Sequence, residues 1–428
     1  MPSSQEIPVA PGRLPLLGHL PALVRRPLPF VRSLRQFGDV STVYLGTTPA
    51  YLVHNTDLIR RVLVADAGHF DKGVQYEKLA TLLGNSLATT SGTAHRDRRR
   101  LMQPAFHRER VAQHEVTMRE ATLELTKQWR PGDVIAIDDA MRALALTIVA
   151  RALCSADLGS DAVTTIQQDL PAVLRGVAWR VLLSNRTLES LPLPANRRFT
   201  AANNRLRSVV YQVVQRYRAA GVDNGDLLSL LLNARDPETG QALDDNQVRD
   251  EVVNILFAGT ETTGNAMAWL WHALGAHPDA ERQVQAGDSA FVDRVARETL
   301  RLYPPPWLVS RRVREPLQLG AYELPAGSQV LFSPYAVQRD PASYADADRF
   351  DPDRWLPERA AQAPRHAFLS FGAGPQNCVG EGFATLEMAT VTSTIAAQWR
   401  LVPVGDTKEK ASATLLPSRL QMRVERRA

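Results

Sequence analysis

The 428-residue chain is 44% hydrophobic and 22% charged, with a formal net charge of +5 and only two cysteines, Cys154 and Cys378. This is ordinary globular composition, and two cysteines exclude a disulfide framework. No apolar run of about 18 or more residues is free of charge, which excludes a membrane span. The arginines are scattered without interleaved aromatics, which favours an acidic protein partner over nucleic acid.

The N-terminus lacks the basic-then-apolar pattern of a signal peptide, so a cytoplasmic location is expected. Residues 1–25 are Pro-rich and predict an extended segment on the body of the protein, followed by a first helix at 27–37. Alternation at 40–45 and 50–54 around Gly46-Thr47-Thr48-Pro49 predicts a hairpin, and 56–64 a short capped helix. Residues 66–94 mix apolar and polar positions without a clean period and predict a long loop, a feature that is usually functional. Helices are expected at 95–107, 115–129 and 137–154, and at several places between 162 and 233 around a proline-containing break at 191–194. One long helix spans 244–276, Pro278 opens a shorter one, and a third covers 293–302, stopped by Pro304-Pro305-Pro306. Short strands follow at 309–314, 317–324 and 329–332, then a turn-rich approach, a last helix at 379–399 and a hairpin-like tail at 400–427. Length alone suggests two or three domains. No linker divides the pattern, so the expectation is one mainly α domain with minor β sheets over 1–428.

Four segments carry chemistry. The loop Phe371-Gly372-Ala373-Gly374-Pro375-Gln376-Asn377-Cys378-Val379-Gly380 presents a thiol at the start of a helix, where the thiolate is favoured. Nucleophile and metal ligand are both open at this point. The long helix carries Phe257-Ala258-Gly259-Thr260-Glu261-Thr262-Thr263-Gly264 inside apolar flanks. Such a patch is expensive in a buried helix unless it packs a tight crossing at its glycines or serves a reaction centre with a carboxylate and a hydroxyl. Glu298 and Arg301 share a helix face next to a proline run, and Arg354 is a candidate third partner for a buried pair. The segment His95-Arg96-Asp97-Arg98-Arg99-Arg100 places His95 and Arg99 on one face, either solvated or holding carboxylates. No hydrolase elbow, Walker loop or dinucleotide fingerprint is present, and no clustered set of zinc ligands.

Together these segments resemble the haem-thiolate monooxygenases, the cytochromes P-450. The family pattern F-x-x-G-x-x-x-C-x-G is matched by Phe371, Gly374, Cys378 and Gly380. A-G-x-[DE]-T-[TS] is matched by Ala258, Gly259, Glu261, Thr262 and Thr263, and E-x-x-R by Glu298 and Arg301. The resemblance implies a single triangular, mainly α fold with a long central helix over haem b (iron protoporphyrin IX). Cys378 would be the axial iron ligand, with Phe371 beside the sulfur and Gly372 in the loop. His95, Arg99 and Arg311 would hold the haem propionates. Glu261 and Thr262 would manage water and protons for dioxygen activation. Glu298, Arg301 and Arg354 would be structural. Gln376 stands where family members carry a cationic propionate ligand, His95 where many have tryptophan, and Gln338 where histidine is frequent. Little consequence is expected of Gln338.

The implied reaction inserts one atom of dioxygen into a hydrophobic or amphipathic substrate of natural-product type, with electrons from a ferredoxin and ferredoxin reductase. Arg98, Arg99 and Arg100 are candidates for docking the ferredoxin. The pocket walls would come from the 70–90 loop with Tyr76, Leu82 and Leu87, the 170–190 region, Leu256 and Ala258, Leu308 and Val309, and Thr414-Leu415-Leu416. A peroxide-driven enzyme, an oxidative-coupling or ring-forming enzyme and a non-catalytic haem sensor are the alternatives. The Glu261-Thr262 pair argues against the first and the last.

Overall fold

The computed structural model describes residues 5–154, 164–166, 168–170, 172, 173, 176, 180, 191, 193–236, 238–364 and 366–427. The chain forms two compact units, each assembled from two separate stretches of sequence: Met1–Glu77 with Arg297–Cys378, and Lys78–Ala296 with Val379–Ala428.

The first unit is built on a five-stranded sheet in the order Val40–Leu45, Thr48–Val53, Gln329–Phe332, Val309–Val313, Phe70–Lys72. Only the Thr48–Val53 pairing with Gln329–Phe332 is parallel; the other three are antiparallel. Val40, Val53, Phe70, Val309, Val313, Val330 and Phe332 join Ile59, Leu63 and Leu369 in one apolar core. The helix Thr56–Arg60 starts where the Asn55 side chain accepts from the Asp57 and Leu58 N–H groups, satisfying two of the donors that a helix start leaves open. It continues as one wider π turn over Arg61–Ala65.

The second unit is organised by the helix Asp245–Ala276. Asp244 and Gln247 form a reciprocal capping box at its start. It crosses the helix Ile137–Leu153 at two glycines. A Cβ on Gly259 would lie 2.6 Å from the Val149 side chain, and one on Gly264 would lie 2.8 Å from the Arg142 Cα. The glycines therefore serve the close crossing, one of the two roles expected from the sequence. The helix Glu381–Ala396 packs against Glu115–Thr126 and Asp245–Ala276. A sheet of Val134–Ala136, Gln421–Arg426 and Trp399–Val404 and a hairpin of Glu409–Ala411 with Leu415–Pro417 complete the unit.

Several boundaries differ from the sequence expectation. The first helix is Leu20–Arg25, inside the stretch expected to be extended. The expected loop at 66–94 contains the strand Phe70–Lys72 and the helix Val74–Leu83. Leu82 and Leu83 are its only buried residues, so packing against the rest of the fold, rather than a visible period, defines this short helix. The helix expected at 293–302 begins earlier, as Ser289–Leu302, and the last helix ends at Ala396 because Trp399 is already in a strand. Val134–Ala136 follows the turn residues Pro131-Gly132-Asp133 and is too short to read as a strand by itself; Gln421–Arg426, far along the chain, pairs with it. Much of the region expected to be helical at 162–193 lies outside the described residues. Among the described residues no helix is long and apolar enough to cross a membrane.

Candidate active site

In the first unit the backbone of the Cys378 loop is fixed by its own hydrogen bonds. The Cys378 N–H donates to the Phe371 carbonyl at 2.8 Å, Gly372 to Leu369 at 2.9 Å and Asn377 to Gly374 at 3.1 Å. Gly372 and Gly374 have φ of +72° and +69°, which other residues rarely adopt. Gly374 is also excluded from carrying a side chain, since a Cβ would sit 2.0 Å from the Leu63 carbonyl oxygen. The loop delivers Cys378 exposed, while the other free cysteine, Cys154, is buried. Burial pushes the Cys154 thiol up to about 12, so it is inert as a thiolate. Two residues before Cys378, the Gln376 side-chain oxygen is buried with no hydrogen-bond partner. An exposed thiol on a rigid loop fits a bound group that the thiolate would ligate.

Arg311 is 6% exposed on the strand Val309–Val313. Its Nη1 donates to the Ser310 carbonyl, and its guanidinium lies 5.8 Å from the centre of the Tyr76 ring.

Glu298 and Arg301 have no exposed surface. Arg301 donates to both carboxylate oxygens, Nη2 to Oε1 at 2.7 Å and Nε to Oε2 at 2.8 Å. Its remaining N–H groups reach the carbonyls of Gln338, Ala347 and Arg349, so all five donors are used. Glu298 also accepts from the Asp351 N–H at 3.0 Å, Trp355 Nε1 at 3.0 Å and Arg354 Nε at 3.4 Å. Arg354 additionally donates to the Ala345 and Asp346 carbonyls. A buried ion pair is tolerated when this many partners offset its desolvation.

Gln338 carries more weight than its sequence position suggests. It is fully buried, donates from Nε2 to the Leu300 and Arg301 carbonyls, and accepts at Oε1 from the Leu369 N–H and the Ser370 hydroxyl. It joins the end of the helix Ser289–Leu302 to the segment leading into the cysteine loop.

In the second unit, Ala258 is exposed in the middle of an otherwise buried helix, with Ile255, Gly259, Glu261 and Thr262 half-buried around it. The helix therefore keeps one open face where its small and polar residues lie. The Thr262 hydroxyl donates back to the Ala258 carbonyl. Glu261 Oε1 accepts from Asn265 Nδ2 at 3.1 Å and from the Thr414 hydroxyl at 3.2 Å. Asn265 is fully buried, bonds Thr414 as well, and accepts from Arg142 Nη1 at 3.1 Å. The signal for Asn265 was its i+4 spacing from Glu261; nothing in the sequence marks Arg142.

The basic helix Gly92–Met102 is not a solvated face. His95 and Arg98 are buried. Arg98 lies 3.4 Å from Glu251, and Arg100 pairs with Asp236, Glu238 and Asp97. Arg98 is thus buried beside Glu251, and Arg100 is engaged by three acids of its own unit. Arg99 remains half-buried. Of the apolar residues expected to line a pocket, Leu82, Leu87, Leu256 and Leu415 in this unit are core residues, as is Val309 in the first unit. Their surface is taken up by packing, whereas Ala258, and in the first unit Tyr76 and Leu308, keep open surface. The wall expected from 170–190 falls mostly outside the described residues.

The model of the cytochrome P450 family matches residues 8–423. Cyclooctat-9-en-7-ol 5-monooxygenase of Streptomyces melanosporofaciens is 41% identical over 414 residues, 93% of this chain and 90% of the relative. Pentalenene oxygenase of Streptomyces avermitilis is 36% identical over 438 residues, 98% of this chain and 97% of the relative. The fold is similar to that in a crystal structure of the cytochrome P450DA heme domain, with a TM-score of 0.89 at 24% identity over 100% of this chain and 99% of that one. The cysteine loop, the long helix and the Glu298–Arg301 pair thus stand in a chain that belongs to the cytochrome P450 family, the haem-iron monooxygenases.

Proposed function

We propose that the chain oxygenates a polycyclic terpene or terpene alcohol, with Cys378 as the thiolate that would hold the iron of haem b. The observation that carries the ligand assignment is the presentation of Cys378, exposed on a rigid glycine-bearing loop while Cys154 is buried. The substrate class is supported by the named substrates of the cyclooctat-9-en-7-ol and pentalenene oxygenases, and by the small, open Ala258 on the long helix. The family model spans 8–423, which supports treating the chain as one functional domain despite its two compact units.

The haem iron, when bound, supplies dioxygen binding and O–O cleavage, which the thiolate ligand promotes. The residues of this chain do the rest. By the family resemblance, Arg311, His95 and Arg99 would be the donors that hold the propionates. Gln376 offers an uncharged amide where family members carry a cation, so only its NH2 group could donate to a propionate. Thr262 holds a hydroxyl proton next to the open face of the helix, at present given to the Ala258 carbonyl. Glu261 is the carboxylate one residue away that replenishes it. Asn265 and Thr414 both bind Glu261 Oε1, which fixes the carboxylate in one orientation. Electrons come from a ferredoxin and its reductase in the cytoplasm.

The test has two arms. Cys378→Ser should abolish the strongly red-shifted Soret band of the reduced carbon monoxide complex; a retained band overturns the ligand assignment. A panel of terpene hydrocarbons and alcohols should give a substrate-induced spin-state shift and an oxygenated product. A panel of equally apolar fatty acids and aromatics that does so instead would overturn the substrate class.

A further inference from the structure

The segment before the first sheet has surface that the monooxygenase reaction does not use. Residues 7–38 contain five arginines and no aspartate or glutamate. The helix Leu20–Arg25 is apolar over its first five residues, yet none of its side chains is buried. The turn before it exposes Leu14, Leu16 and Leu17 at 46%, 81% and 52%, and Val24 on the helix is 58% exposed. Scattered exposed leucines are ordinary, but a continuous apolar stretch without one buried residue is not.

This surface is rigidly built. Leu14 and Gly18 exchange two backbone hydrogen bonds of 2.9 Å, closing the turn. Gly18 sits so close to the sheet that a Cβ would be 2.3 Å from the Tyr44 carbonyl oxygen. The next residue, His19, is fully buried, accepts from the Tyr44 N–H at Nδ1 and therefore donates from Nε2 to the Ala10 carbonyl. At the tip, Leu16 has φ of +58°, a conformation that costs a leucine free energy. The fold thus holds a strained leucine outward where a glycine or asparagine would be unstrained.

The charges beside the tip are cationic. Arg32 and Arg35 are paired with Asp348 and Asp340, and Arg13 lies over the Tyr44 ring. Arg25 and Arg26, at the end of the exposed helix, are themselves exposed and have no ion pair among the described residues. We propose that the 14–26 segment is a membrane-surface contact: Leu14, Leu16, Leu17 and Val24 enter the acyl boundary while Arg25 and Arg26 meet anionic head groups. The exposed leucines of the turn favour insertion into an apolar boundary, and the acid-free stretch with five arginines matches an anionic surface. The contact lies on the bilayer and does not span it. It would bring the enzyme to where apolar substrates partition.

Flotation of the holoenzyme with vesicles tests this, using phosphatidylcholine alone and phosphatidylcholine with about one-third phosphatidylglycerol. The holoenzyme is expected to float with the anionic vesicles, to bind the neutral ones about ten-fold more weakly, and to be released by salt. Leu16→Asn/Leu17→Asn and Arg25→Gln/Arg26→Gln should each weaken binding about ten-fold with an unchanged carbon monoxide spectrum, asparagine being tolerant of the φ at position 16. The proposal is overturned if the holoenzyme stays with neither vesicle, if the variants float like the parent, or if the segment instead mediates self-association that vesicles do not compete with.

Discussion

The Leu87 N–H donates to Glu251 Oε1 at 2.8 Å, binding the segment before the basic helix to a carboxyl with no exposed surface. The neighbouring Asp250 accepts from the Asn85 N–H and from Arg207, whose other nitrogen donates to the Leu82 carbonyl. Gly84 is confined by the same acid, since a Cβ would lie 2.0 Å from Asp250 Oδ2. Two consecutive acids of the long helix therefore clamp the backbone of 82–87.

Glu251 makes that clamp pH-dependent. Burial pushes its carboxyl up to about 7, against the opposing pull of Arg98, the Leu87 N–H and Asn254, while Asp250 adds to the rise. Its ordinary value is 4.5, so the folded chain holds a proton that the unfolded chain releases between 4.5 and about 7. The contribution to stability is fully present below 4.5 and is lost as pH rises through 7. Glu251→Gln removes this dependence. In paired urea titrations the variant should gain on the parent with rising pH, by on the order of 3 kcal/mol between acid and neutral conditions. Parallel curves would show that Glu251 does not hold the proton.

The crossing at Gly264 predicts a substitution whose effect runs against helix propensity. Alanine is better than glycine by about 1 kcal/mol inside a helix. At Gly264 its Cβ would be 2.8 Å from the Arg142 Cα, a backbone atom that cannot rotate away. Gly264→Ala should therefore destabilise by about 1–3 kcal/mol. Gly382, in the first turn of Glu381–Ala396, has open space where a Cβ would stand, with no atom within 4 Å. Gly382→Ala should stabilise by about 0.4–1 kcal/mol. Thermal melts of the two variants moving in the same direction would contradict this account.

What can be read from the sequence follows from the range of the interactions involved. The long helix and the Glu298–Arg301 spacing are local patterns, and they are legible. The strand Val134–Ala136 and the helix Val74–Leu83 exist because of distant packing, and they are not. Arg98 and Arg100 read as surface because a run of arginines normally is; only the fold places Glu251, Asp236 and Glu238 against them. The Gln338 side chain uses both ends of its amide at once, and four partners from two distant segments cannot be seen from its position in the chain.

Those four partners make Gln338 testable. Gln338→Leu keeps the volume but takes the buried side-chain partner from the Leu369 N–H and the Arg301 carbonyl, while the Leu300 carbonyl keeps the Ser370 hydroxyl. A cost of about 2–4 kcal/mol is expected. Gln338→His can restore one donor and one acceptor and should fall between the two. Urea unfolding of the three proteins checks the order; a leucine variant as stable as the parent would mean that the hub is dispensable.

Arg301 offers the sharpest contrast between charge and geometry. All five of its donors are used, two on Glu298 and three on backbone carbonyls. Lysine keeps the charge but offers three donors from one point and cannot span Glu298 and the carbonyls of Gln338, Ala347 and Arg349 together. Arg301→Lys should therefore cost about 3–5 kcal/mol, close to the loss of the pair itself. If charge alone mattered, the lysine variant would keep nearly all the stability. Glu298→Gln separates the two cases further, since it keeps two polar atoms against Arg301 while leaving the guanidinium without its counter-charge. Chemical denaturation should rank the parent first and place both variants well below it, with the lysine variant no better than the glutamine one.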